Sequence, residues 1–237
     1  MKRFFALLLA AVMLLTLVAC GNETKPEKEN GDNTQATKKP QSSDTQEKGD
    51  DVFEGKVTEA AVRNYKTADE SDFSYDTYED GIRITDYLGT DTVVVIPESI
   101  DGKQVRSIAA VVFGNDSSVK GVCVPSGVKE MMGVFTNNDD LEVVIWESAE
   151  VIKHNMFNNC VNLRTVVLGD TLREIHENAF SMCKNLEELF VAPTVEEVDV
   201  SAALSIFLGC KKLTIKGEAG SYIESFCAEQ GIKFEAV

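Results

Sequence analysis

The chain has 237 residues, 43% of them hydrophobic, and its 39 acidic against 23 basic side chains leave a net charge of −16. Such acidity argues against nucleic acid and against an anionic membrane surface as direct ligands, because both would be repelled. The first fifty residues are charge-balanced, so the excess falls on the remaining 187, enough for one domain with a substantial core.

Residues 1–19 read as a secretory signal. Lys2 and Arg3 precede an apolar run from Phe4 to Val18, too short and wrongly flanked for a settled membrane span. Its end, Leu17-Val18-Ala19-Cys20 before Gly21, resembles the lipobox of bacterial lipoproteins. That resemblance implies cleavage before Cys20 and lipidation of its thiol and new amino group. Several acyl chains together hold a protein firmly where one does so only marginally. From Gly21 to Asp50 large apolar side chains are almost absent, so the stretch cannot bury enough surface to offset chain entropy. With Cys20 it is expected to form a disordered linker, residues 20–50, of typical span about 30 Å.

Residues 51–90 are expected to form an N-terminal cap. Thr58 is placed to cap a short amphipathic helix carrying Val57, Ala60, Ala61, Arg63 and Tyr65. Phe73–Tyr78 and Ile82–Tyr87 flank Asp80-Gly81, a strong hairpin signal.

Residues 91–215 carry a repeat. Phe113, Phe135, Phe157, Phe180 and Phe207 stand 22, 22, 23 and 27 residues apart. Six residues after each comes an aliphatic one: Val119, Leu141, Leu163, Leu186 and Leu213. In the first four copies apolar residues follow at plus nine and plus eleven, for example Val144 and Trp146, or Val166 and Leu168. A fixed period of this size is the signature of a solenoid, whose coils bury their apolar sides only by stacking. Val94 and Ile96, matching Val122 and Val124, supply one earlier strand. The sheet should gain one strand per coil, each about 4.8 Å from the last.

Residues 216–237 are expected to close the stack. After the shortened strand of Leu213 and Ile215, Ser221-Tyr222-Ile223-Glu224 fits a capping box. Ile223, Phe226 and Cys227 fall on one face, Gly231 is placed to stop the helix, and Ile232–Phe234 reads as a final strand.

The repeat unit, Ile-Xaa3-Ala-Phe-Xaa2-Cys-Xaa2-Leu-Xaa2-Val-Xaa-Leu, is clearest in Ile152–Leu168 and Ile175–Val191. It resembles the leucine-rich repeat of the bacterial surface-antigen (BspA-like) family. The lead-in Asp80-Gly81-Ile82 through Ile100-Asp101-Gly102-Lys103 and the ending Ala219-Gly220-Ser221-Tyr222 with Gly231-Ile232 resemble that family too. There are departures: Lys129–Phe135 has methionines and glycine where isoleucine and alanine usually stand, and four extra residues precede Phe207. The fold implied is a mainly β solenoid with minor α. It is a right-handed stack of leucine-rich repeat coils, one strand per repeat, with short helices capping both ends. The resemblance also implies a surface interaction protein or adhesin, and it brings no catalytic residues.

Candidate sites are few. Cys160, Cys183 and Cys210 each sit three residues after an anchor phenylalanine, where Asp116 and Asn138 occupy other copies. They read as a file of small buried residues at a tight turn, although neighbours in such a file could also be bridged. His154 and His176 lack a third ligand and a nucleophile, and read as surface turn residues. No phosphate loop, nucleophile elbow or HExxH is present, so no enzyme, metal or cofactor is expected. Asp139-Asp140, Glu187-Glu188 and Glu196-Glu197 read as solvated faces.

One file resists a bland account. If plus nine and plus eleven face the core, plus ten faces outward, giving Val95, Cys123, Ile145, Val167 and Phe190, flanked by Val93 and Val143. An apolar stripe on an outward sheet face marks an interaction site if open, and a structural module if a cap folds over it. The insertion at Ser201–Ser205 is a second, weaker candidate. The expected role is therefore a lipid-anchored, surface-exposed bacterial module binding a protein or glycan. The alternative is a structural or assembly protein of the envelope without external ligand.

Overall fold

The computed structural model describes residues 56–115, 117–198 and 206–237. The chain divides into two units, Met1–Glu47 and Lys48–Val237, and every described residue belongs to the second. The signal, Cys20, the linker, Asp116 and the Ser201–Ser205 insertion lie outside the described residues. Among those described, no helix is long and apolar enough to cross a membrane.

Helix α1 (Glu59–Arg63) starts at Thr58, whose hydroxyl accepts from the Ala61 amide at 3.2 Å. Glu59 and Arg63, one turn apart, close an ion pair at 2.7 Å. A 3-10 turn, Glu70–Asp72, leads into β1 (Phe73–Tyr78) and the antiparallel β2 (Gly81–Tyr87). The hairpin turns on Glu79 and Asp80, because Tyr78 already pairs with Gly81. Gly81 is thus a strand residue with φ +152°, and a Cβ there would stand 2.5 Å from Cγ of Arg106. Its bareness serves tertiary packing more than the turn. β4 (Ser99–Ile100) and β5 (Lys103–Ile108) complete a four-stranded sheet ordered β1-β2-β5-β4.

The main sheet has seven parallel strands. They are β3 (Val93–Val95), β6 (Gly121–Cys123), β8 (Val143–Trp146), β10 (Thr165–Leu168), β12 (Glu188–Phe190), β14 (Thr214–Gly217) and β15 (Lys233–Ala236). The register is that of the sequence repeat: Val94, Val122, Val144, Val166, Leu189, Ile215 and Phe234 lie side by side. All but Phe234 are fully buried. Burying one such side chain is worth about 1.5–3 kcal/mol, so the row forms the floor of the core.

Four of the coils also make a second, two-residue strand. β7 (Glu130–Met131), β9 (Val151–Ile152), β11 (Glu174–Ile175) and β13 (Glu197–Val198) form a short parallel ladder with Met131, Ile152, Ile175 and Val198 in line. Two residues are too few to show an alternating pattern, so the ladder is silent in the sequence.

Between the two ladders runs the phenylalanine spine. Successive rings of Phe113, Phe135, Phe157, Phe180 and Phe207 stack with centroids 5.9, 5.3, 5.1 and 5.5 Å apart. Tyr87 and Phe73 extend the column at 5.7 and 5.4 Å, which welds the hairpin sheet to the first coil. Ring contacts in this distance range add about 0.5–1.5 kcal/mol each beyond burial.

The residue three after each phenylalanine ties its coil to the preceding one. Cys160, Cys183 and Cys210 donate their thiols to the carbonyls of Phe135, Phe157 and Phe180 at 2.9, 3.0 and 3.0 Å. Asn138 does the same with its side-chain amide, reaching the Phe113 carbonyl at 2.8 Å. Its oxygen also accepts from the amides of Asp140 and Leu141, both at 2.9 Å. The bend needs left-handed backbone on either side of the phenylalanine. Gly133, Asn155 and Asn178 hold the position two before, and Asn137, Asn159 and Gly209 the position two after. Val111 and Met182 occupy the same slots at φ +57° and +65°, where a Cβ is unfavourable and a branched one more so.

At the far end helix α2 (Tyr222–Gln230) stops at Gly231, which is left-handed as expected. The capping box does not close as the sequence suggests. Glu224 accepts from the Gly220 amide, not that of Ser221, and the Ser221 hydroxyl is buried without a described partner.

Candidate functional site

The outward stripe is not an open surface, and the expectation that it could bind a ligand is corrected here. Val57 and Val62, both fully buried, lie with Tyr65 on Val93, Cys123, Val143, Ile145 and Val167. Ile145 is only 2% exposed. Apolar side chains on both surfaces exclude water more effectively than a solvated sheet would, so the N-terminal segment folds down. At Gly121 the approach is so close that a Cβ would stand 2.7 Å from Val62. Val95, Cys123 and Phe190 remain half-buried, and the Lys216 ammonium sits 5.3 Å from the Phe190 ring centroid.

Polar groups lock this lid. One carboxylate oxygen of Glu142 accepts from the Val57 amide at 3.0 Å and from Arg164 at 2.7 Å, and Arg164 also donates to the Val57 carbonyl at 2.6 Å. Arg63 reaches Glu147 at 2.8 Å, and these two carboxylates, Glu147 then Glu59, hold its guanidinium even more firmly protonated than usual. A backbone bridge between Thr67 and Val95 fixes the exit.

The thiols are structural. All five described cysteines are free. Burial pushes Cys160 up to about 12 and Cys227 to about 11, and Cys183 is raised by its contact with Cys210 and then by burial. A thiol held so far above neutrality is a poor nucleophile and a poor metal ligand. His154 and His176 do meet, ring nitrogen to ring nitrogen at 3.3 Å, and the other nitrogen of His176 contacts Glu174 at 2.9 Å. One ring must therefore donate to the other. Among the described residues no group of three His, Cys, Asp or Glu is placed to hold a metal ion.

The flank beside the short ladder contains a groove of about 690 Å³ that the repeat pattern did not announce. Its walls are β2 and β5 on one side and β7 on the other, lined by Tyr78, Ile82, Arg83, Arg106, Met132 and Lys153 among others. It lies where the short ladder stops: among the described residues β7 pairs with β9 and no ladder joins it to β5. No residue count announces it: Met131 precedes Phe135 by four residues where Ile152 precedes Phe157 by five, yet Met131 and Ile152 pair.

The sequence matches the model of the BspA type leucine-rich repeat region in six copies over residues 94–214. Among solved structures the chain is similar to a leucine-rich repeat protein of T. pallidum, at 29% identity and a TM-score of 0.57, covering 64% of this chain and 71% of that one. A leucine-rich repeat protein from Bacteroides ovatus matches at 22% identity and a TM-score of 0.47, covering 65% of this chain and 47% of that one. No curated protein matches the sequence. Proteins of this repeat class are in general binding scaffolds and not enzymes. Six matched copies, carried by a stacked phenylalanine spine and two in-register ladders, make this chain a member of the BspA type leucine-rich repeat family.

Proposed function

We propose that the chain is a lipid-anchored interaction module, displayed outside the cell and binding a protein or glycan through the flank of its solenoid. The observation that carries this reading is the flank groove, a concave, cation-bearing surface on an otherwise acidic body. A stack locked by the phenylalanine spine loses little conformational freedom on binding, which lowers the cost of association. The lipobox-like Cys20 supports the anchor, and the polar residues after it suit a tether holding the module clear of headgroups.

Two measurements test it. Intact mass of the mature protein should show an N-terminal acylated Cys20, and Cys20→Ser should release the protein from the membrane fraction. Crosslinking on intact cells, followed by identification of the captured molecule, should return a defined partner; capture of nothing beyond neighbouring envelope components would remove the binding role. A second reading is favoured by one observation, the lid over the apolar stripe. A sheet face closed in this way suits a structural or assembly module of the envelope with no external ligand.

A further inference from the structure

We propose that the groove between β5 and β7 is a docking slot for an acidic, extended peptide segment of a partner protein. The inference rests on the reading of the chain as a binding module and names the chemistry of its partner.

The groove lies where the short ladder stops at β7. In the later coils the short ladder is closed by carbonyl-to-amide bonds, for example from the Lys129 carbonyl to the Glu150 amide at 3.0 Å and from the Ile152 carbonyl to the His176 amide at 2.9 Å. No equivalent bond links Arg106–Ile108 to Lys129–Met131 among the described residues. Backbone closes the groove at its base, where a Cβ on Gly127 would stand 2.2 Å from the Val105 carbonyl, and the coils meet again where the Val111 amide donates to the Gly133 carbonyl at 3.0 Å. An extended peptide lying along the opening presents alternate side chains to its walls.

The side chains specify charge. Three cations, Arg83, Arg106 and Lys153, line the groove against Asp80 and Glu130. Lys153 is neutralised by Glu130 at 2.8 Å. Arg83 makes no hydrogen bond or ion pair with a described residue. Arg106 is held in place: its stem crosses bare Gly81, and its Nε donates to the Asp80 carbonyl at 3.4 Å, which leaves the terminal nitrogens for a ligand. A guanidinium fixed by its own stem loses little freedom when it grips a carboxylate. Met132, 65% exposed, adds a pliable apolar contact between the charges. Acidic residues alternating with apolar ones fit this lining, since alternate side chains of an extended strand face the same way.

The test is a random decapeptide library selected on the full chain, with the winning peptides synthesised and titrated calorimetrically. Winners should be enriched in Asp and Glu interleaved with apolar residues, and their affinity should fall as salt is raised. The double variant Arg83→Glu with Arg106→Glu should weaken them at least tenfold at unchanged melting temperature. Lys233→Glu, on β15 at the other end of the stack, should leave affinity intact. Neutral or basic winners would overturn the proposal, as would winners that bind the double variant equally, or no winners at all. A groove that instead takes an oligogalacturonate, with the same dependence on both arginines, would be a saccharide site and would also overturn it. Winners indifferent to the arginines leave the module reading standing, whereas an empty selection joined to an empty crosslinking experiment removes both.

Discussion

The outward face of the main sheet and the flank of the short ladder are products of the same coils, yet they end in opposite states. On the face, strands of three and four residues present a continuous apolar row, and the chain supplies its own cover in Val57 and Val62. On the flank, two-residue strands present mostly polar and charged side chains, and among the described residues the ladder stops at β7 without joining β5. Continuous apolar area recruits protein from within the molecule; interrupted polar edges leave room for something from outside. A row of hydrophobic residues on the outer face of a repeat protein is therefore no proof that the face is open.

The strongest way to break the comparison is to charge the covered face. Ile145→Asp places a carboxylate in the apolar layer beneath Val57 and Val62, and it should lower stability by several kcal/mol or prevent folding. Phe190→Asp, just beyond the lid, should cost far less. Denaturant titration of both variants checks this, and equal effects would mean that the lid seals no more than one end. The polar lock comes next. Glu142→Ala strands the Val57 amide and leaves Arg164 without its carboxylate, for an expected loss of about 2 kcal/mol. Hydrogen exchange should then quicken across α1 and leave the amides of β10 and β12 slow.

A smaller effect of opposite sign is expected at Val111. Replacement by Asn, the residue found at the same slot in two later coils, should stabilise by about 1 kcal/mol, because Val pays for its left-handed backbone and is half exposed. A thermal shift of a few degrees upward reads it. Smallest of all, the double variant Arg83→Glu with Arg106→Glu should change stability by less than about 0.5 kcal/mol, as exposed positions do. A large loss there would mean that the groove cations hold the hairpin sheet to the first coil.

The sequence by itself determined the solenoid. A phenylalanine every 22 or 23 residues, with aliphatic residues at fixed offsets, admits stacking in register and little else, and the rings of Phe113 to Phe180 do stack. The hairpin, the Thr58 cap and the stop at Gly231 were equally legible, since each depends on a few neighbouring residues. Tertiary structure decided what covers what. Repeat register turned Val144 toward the core and Ile145 outward, as found, but nothing in Val143-Val144-Ile145 says that a segment from 80 residues earlier covers the outer face. Nor could spacing reveal that Gly81 serves Arg106, or that the short ladder stops at β7. Local pattern fixes the coil because a coil repeats; its cover and its gaps arise from contacts made once, between segments that share no period.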